Sequence, residues 1–193
     1  MRWGVLLIGA LLFVAIDSSL MQALRFGSDI NSAVQPQLTP CLAVFVCLMA
    51  PRTTAIWACW LLGLLIDLRL MIPFGAPETI RIIGPNALGY VFGAVLLLQL
   101  RSMVFRRKAL TIGVMTAAFM IAASVVAVTI YVIQSWYPGG PLYWGTGSAS
   151  AELISRFLTA VYSGLIAMPI GWLLVKSAPL WGFPHIQRVR TYR

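Results

Sequence analysis

The chain has 193 residues, 60% of them hydrophobic and only 10% charged, with a mean hydropathy of +0.89. A water-soluble domain carries about 25% charged residues, so an ordinary soluble enzyme is excluded. Fourteen Lys and Arg against five Asp and Glu give a net charge of +9, and most of these cations stand at the ends of apolar stretches. Anionic membrane lipids therefore suit them better as counter-charge than nucleic acid. At about 20 apolar residues per bilayer crossing, the length admits one compact membrane domain and little outside it. Cys41, Cys47 and Cys59 lie inside apolar segments without metal-ligand spacing, and read as small buried hydrophobes.

The first apolar stretch runs from Trp3 to about Leu24. Arg2 ahead of it also suits a signal peptide, but Asp17-Ser18-Ser19 is a poor cleavage site and apolar character resumes at Leu20, which favours an uncleaved helix. Asp17, Ser18, Ser19 and Gln22 give this helix a polar face for another helix. The second stretch, Leu38 to Ala50, is short and opens near Pro40. It covers about 20 Å of a ~30 Å core, so it must borrow flanking residues, tilt, or lie among its neighbours. Pro51-Arg52 turns into a third span, Thr54 to about Met71. The fourth runs from Pro85 to about Phe105, the fifth from Leu110 to Gln134, and the sixth from Ala151 to Val175. Ser135 to Ser150, rich in Gly, Pro, Tyr and Trp, is the one long polar connection. The expected architecture is an all-α integral membrane protein. Residues 1–176 form a single domain, a six-transmembrane-helix bundle, and residues 177–193 a basic cytoplasmic tail.

Lys and Arg resist translocation, which sets the orientation. With the N-terminus inside, the cytoplasmic side collects Arg2, Arg52, Arg101, Arg106, Arg107, Lys108, Lys176, Arg188, Arg190 and Arg193. Both termini are then cytoplasmic. Trp3, Trp57 and Trp172 fall at inner-interface depth and Trp136 and Trp144 at the outer edge, as amphipathic rings prefer.

Ionised side chains at bilayer depth cost roughly 2.5 to 3.5 kcal/mol each and need partners. Asp67 follows Leu61-Leu62-Gly63-Leu64-Leu65-Ile66 in the third span; Arg69 is about 200° further round the helix, so the two cannot face the same way. Asp67 is expected to find another helix or a backbone amide. A structural anchor is the favoured role, with a ligand contact and a protein contact as alternatives. Glu152 and Arg156, spaced i,i+4 at the start of the sixth span, form a structural polar pair behind a Ser148 or Ser150 cap. Asn86 and Gln99 suit interhelical hydrogen bonds, and Gly89-Tyr-Val-Phe-Gly93 is a small-xxx-small motif that lets two helices approach closely.

Catalytic groups are scarce. His185 is the single histidine and lies in the tail, which excludes a Ser/His pair or a His-rich metal site within the membrane. Gly145-Thr-Gly-Ser148 resembles a serine-protease turn but has no base beside it, and five scattered carboxylates do not make a paired-aspartate metal site. No nucleotide loop is present. The chain is expected to be no enzyme, to hold no cofactor or metal, and to bind or scaffold.

From the second to the fourth span the pattern becomes specific. Gln35-Pro36-Gln-Leu-Thr-Pro40, the turn at Pro51-Arg52, Leu61-Leu-Gly63-Leu-Leu-Ile-Asp67, Pro73-Phe-Gly75 and Leu88-Gly89-Tyr-Val-Phe-Gly93 resemble the MreD family of bacterial rod shape-determining proteins over roughly residues 20 to 105. That family shows a Pro-Asp-Leu opening, a Gly-Leu-Leu-x-Asp helix, a Pro-Leu-Gly turn and a Tyr-x-x-Gly helix; Gln37 stands here where it usually has Asp. The resemblance implies a six-helix protein of the inner membrane, similar in fold to the substrate-binding S components of vitamin transporters. It implies a non-enzymatic scaffold that binds the single-span protein MreC. Through MreC it positions an actin-like filament protein and the peptidoglycan synthases for cell-wall elongation and cell shape. Gly63, Asp67, Asn86, Gly89 and Gly93 are the candidate helix-packing and partner residues. The alternative is an S component of a vitamin transporter of the ECF type, with Tyr131, Trp136, Tyr143 and Trp144 lining an outer pocket.

Overall fold

The structure, a computed structural model, describes residues 2–24, 34–69, 72–73, 79–80, 83–101, 109–136 and 149–183. Six helices carry it: α1 (Trp3–Ala23), α2 (Thr39–Met49), α3 (Arg52–Arg69), α4 (Pro85–Leu100), α5 (Ala109–Ser135) and α6 (Ala149–Ser177), followed by a 3-10 turn (Ala178–Trp181). A two-residue antiparallel pair, β1 (Ile72–Pro73) with β2 (Thr79–Ile80), closes the connection between α3 and α4. The chain is thus all-helical in architecture, with element boundaries close to those expected from hydropathy.

Two helices, over Leu110–Gln134 and Leu153–Trp181, are long and apolar enough to cross a membrane, and only 39% and 33% of those stretches are buried inside the protein. Six full spans are not supported. The apolar stretches Trp3–Ser19, Thr39–Met49 and Pro85–Leu100 are shorter, and α3 carries Arg52, Asp67 and Arg69. At 1.5 Å per residue, the 11 residues of α2 reach only about 17 Å.

The layout follows from where each helix hides its apolar surface. In α2, Thr39 through Leu48 are all buried, and the helix touches each of the other five. A helix apolar on every side belongs inside, and α2 is the axis of the bundle. Around it, α5 packs most extensively on α6 and α4, and α3 on α4. The outer surface is apolar as well, with exposed Leu7, Ile8 and Leu11 on α1, Leu88 and Phe92 on α4, and Ile154, Phe157, Leu158 and Leu165 on α6. An apolar surface extending around several helices exceeds the scattered patches of a soluble monomer.

The packed unit continues past Lys176. Ala178, Trp181 and Phe183 are buried, with Phe45 of α2 edge-on to both rings at 5.4 and 5.7 Å between centroids. The Arg2 amide donates to the Trp181 carbonyl at 3.2 Å, so the start of α1 and the end of α6 lie at one end of the bundle. Residues 178–183 therefore belong to the folded domain and not to a tail beginning at 177.

Candidate functional site

Asp67 sits two residues before the end of α3 and is fully buried. Its carboxylate receives four hydrogen bonds from the start of α4. The Gly84 and Ala87 amides donate to Oδ2 at 2.9 and 3.0 Å, and the Asn86 amide and Nδ2 donate to Oδ1 at 3.1 and 2.8 Å. A helix start leaves its first amides without partners and carries partial positive charge, so a carboxylate from a neighbouring helix serves as its cap. Pro85 suits this first turn because its missing N–H would have no partner there. Gly84 has φ +132°, a conformation that L side chains rarely adopt. One turn before Asp67, a Cβ at Gly63 would fall 2.6 Å from Ala87 Cα and 2.8 Å from the Asn86 carbonyl oxygen. Gly63 and Asp67 thus act as one device: the glycine admits the first turn of α4 and the carboxylate closes it.

A second carboxylate does the same for α2. Asp17, buried on α1, accepts from the Leu38 amide at 2.6 Å, the Thr39 amide at 2.9 Å and the Thr39 hydroxyl at 2.5 Å. The Asp17 backbone carbonyl accepts from Gln35 Nε2 at 3.2 Å and Arg69 Nη2 at 3.0 Å, so Arg69 reaches α1 while Asp67 reaches α4. Nearby, the Gln37 amide donates to the buried Ser163 Oγ of α6 at 2.9 Å. At the far end of α2, Arg101 donates to the carbonyls of Cys47 and Ala50 at 3.3 and 2.6 Å. The central helix therefore has an anion at its amino end and a cation at its carboxyl end, matching its dipole.

The remaining sequence candidates are placed as follows. Gly89 and Gly93 face α5 of the same chain: a Cβ at Gly89 would fall 2.6 Å from the Ala123 carbonyl oxygen, and one at Gly93 2.8 Å from the Phe119 ring. Together with Gly63, Asp67 and Asn86, these residues lie on contacts inside the bundle. Ser18 and Ser19 donate back to the Val14 and Ala15 carbonyls at 2.7 and 2.9 Å, leaving Asp17 as the group of its polar face that reaches another helix. The Gln22 and Glu152 side chains lie outside the described residues, and the Arg156 guanidinium stands 5.8 Å from the centre of the Tyr131 ring on α5. Tyr131 is buried and Trp136 exposed; Tyr143, Trp144, the segment Gly145–Ser148 and His185 lie outside the described residues. Cys47 and Cys59 are buried with sulfurs 3.4 Å apart.

Sequence reasoning missed the pairing of Asp17 with α2 and of Arg101 with its carbonyls. The available signal was a charge inside an apolar run and a helix too short to span. Among the described residues, no group of three or more His, Cys, Asp or Glu is placed to hold a metal ion. The arrangement stabilises helix ends inside the bundle. Comparison of the chain with family models, curated proteins and solved structures returns no match.

Proposed function

We propose that the chain is a non-enzymatic scaffold of the bacterial inner membrane, of the MreD kind. In this reading it holds a single-span, MreC-like partner and through it positions the cell-wall elongation machinery. One observation carries the reading: both described buried carboxylates are occupied by the start of a neighbouring helix, Asp67 by three backbone amides and the Asn86 side chain, Asp17 by two backbone amides and the Thr39 hydroxyl. A carboxylate has about four lone-pair sites, so Asp67 is filled by its cap. The residues that carry the MreD resemblance, Gly63, Asp67, Gly89 and Gly93, set the spacing of α3, α4 and α5, and shape the exterior without being its contact points.

In this reading α1, α3 and α4, at about 31, 27 and 24 Å by their lengths, cross with the help of flanking residues, and the short α2, enclosed by the others, runs from the Asp17 end to the Arg101 end as the sixth passage. Both termini are cytoplasmic, so reporter fusions at Gly139 read outside and fusions after Arg193 read inside. The partner meets the outward apolar face of α4, at Leu88, Phe92 and Leu96. A photoreactive residue at Phe92 tests this in living cells. Crosslinking to one single-span protein is the expected result, and labelling of lipid alone contradicts it. A small molecule that copurifies in place of such a protein would favour the S-component alternative.

A further inference from the structure

Charge is divided unevenly between the two ends of the bundle. Asp17 and Asp67, the buried acidic residues among those described, lie where α2 and α4 begin. The other end holds Arg2, Arg52, Arg101 and Lys176 and no acidic residue among those described. Arg101 is engaged with α2, whereas Arg2 and Lys176 are exposed on either side of the 3-10 turn. Exposed apolar groups surround these two cations: Trp3 at 43%, Trp172 at 59%, Leu173 at 61% and Leu180 at 69% of their full surface. Lys176 Nζ stands 5.1 Å from the centre of the Trp172 ring. The lysine stem is thereby held against the indole, with the ammonium at ring depth.

We propose that this corner, where the end of α6 and the 3-10 turn meet the start of α1, is a binding site for the phosphate headgroup of an anionic phospholipid. The inference rests on the membrane reading and goes beyond a general attraction of cations to lipid. The rings of Trp172 and Trp3 lie at the headgroup boundary, as interfacial tryptophans do. Leu173 and Leu180 face the upper acyl chains, and the Arg2 guanidinium and Lys176 ammonium bracket the phosphate. The Arg2 amide bond to Trp181 and the Arg2 stem, 3.4 Å from where a Cβ at Gly182 would stand, tie the start of α1 to the 3-10 turn, so both cations are carried by one packed corner.

The test uses the full chain, inserted in membranes of equal phosphatidylglycerol and phosphatidylcholine, extracted in mild detergent, with the retained phospholipids counted by mass spectrometry. Phosphatidylglycerol is expected to be enriched well above its share of the membrane. Each cation near a charged surface contributes about fivefold to binding, so Arg2→Gln with Lys176→Gln should bring the retained ratio close to that of the bulk. Arg25→Gln with Arg81→Gln removes the same charge from other connections and should leave the enrichment intact. Should the first double variant not fold, Lys176→Gln alone should lower the enrichment about fivefold. Retained lipid at the bulk ratio, or enrichment that survives loss of Arg2 and Lys176, overturns the site. Displacement of phosphatidylglycerol by a soluble acidic polypeptide also overturns it, in favour of a protein partner. A chain recovered soluble without detergent defeats the membrane reading itself, a different result from equal retention of both lipids.

Discussion

Helices α2 and α6 are both rich in apolar residues and occupy opposite places in the molecule. The 11 residues of α2 are enclosed on all sides and held at both ends by charges from other helices, Asp17 and Arg101. The 29 residues of α6 present Ile154, Phe157, Leu158 and Leu165 outward and meet α5 where Gly113 and Gly164 approach, a Cβ at Gly113 falling 2.7 Å from the Gly164 carbonyl oxygen. Inside an apolar layer, composition does not separate the centre from the surface. The difference lies in how the helix ends are satisfied: α2 ends within the bundle, so its amides and carbonyls need partners from the protein.

The largest expected effect is removal of a carboxylate cap. Asp67→Ala leaves four donors without their acceptor in a dry site, and at about 1–3 kcal/mol for an unsatisfied buried donor the loss should be near 5 kcal/mol. Asp17→Ala, with three donors, should lose about 4 kcal/mol. Both are read as thermal stability in detergent and as accumulation in the membrane. If Asp67→Ala melts with the parent protein, the cap is not what holds α3 to α4. Next comes Gly89→Ala, which drives a methyl onto the Ala123 carbonyl and should cost about 1–3 kcal/mol. Gly4→Ala, with nothing within 4 Å of the added carbon, should instead stabilise by up to about 1 kcal/mol. Equal effects at the two glycines would remove close packing from the account.

Below the Gly89 effect in its upper range is Arg101→Ala. It removes two hydrogen bonds from the carboxyl end of α2 and should cost about 1–2 kcal/mol, partly recovered by Arg101→Lys. If Arg101→Ala proves as damaging as Asp17→Ala, the carboxyl end of α2 depends on its cation as strongly as the amino end depends on its carboxylate.

Much of this arrangement was legible in the sequence. Hydropathy located every helix, and Pro51-Arg52 and the polar segment after Ser135 marked their breaks, because apolar runs and turn residues are local signals. The brevity of α2 was legible too, and one of the outcomes considered for it, enclosure by neighbours, is the observed one. That Asp67 seeks a backbone amide was also within reach, since an ionised group at that depth needs a partner. Which helix supplies the amide was not, because Asp17 and Leu38, or Asp67 and Ala87, meet across about 20 residues and a connection whose path no local pattern encodes. The Gly89–Gly93 motif left open whether its partner was the same chain or another; the approach of Ala123 and Phe119 lies in the packing of α5 and has no signature in α4. Only two of the six expected spans are long and apolar enough to cross by themselves, because an apolar run of 11 residues such as α2 reads like a span until its ends are seen to be capped.

In the membrane reading, hydrocarbon surrounds the outer helices while α2 is sealed from it. Reconstitution into bilayers containing a phospholipid with a photoactivatable acyl chain, followed by mapping of the labelled peptides, tests this directly. Label on Leu7, Ile8 and Leu11 of α1 and on Leu158 and Leu165 of α6, with none between Thr39 and Met49, is the predicted result. Label on α2, or none on α1 and α6, would contradict it.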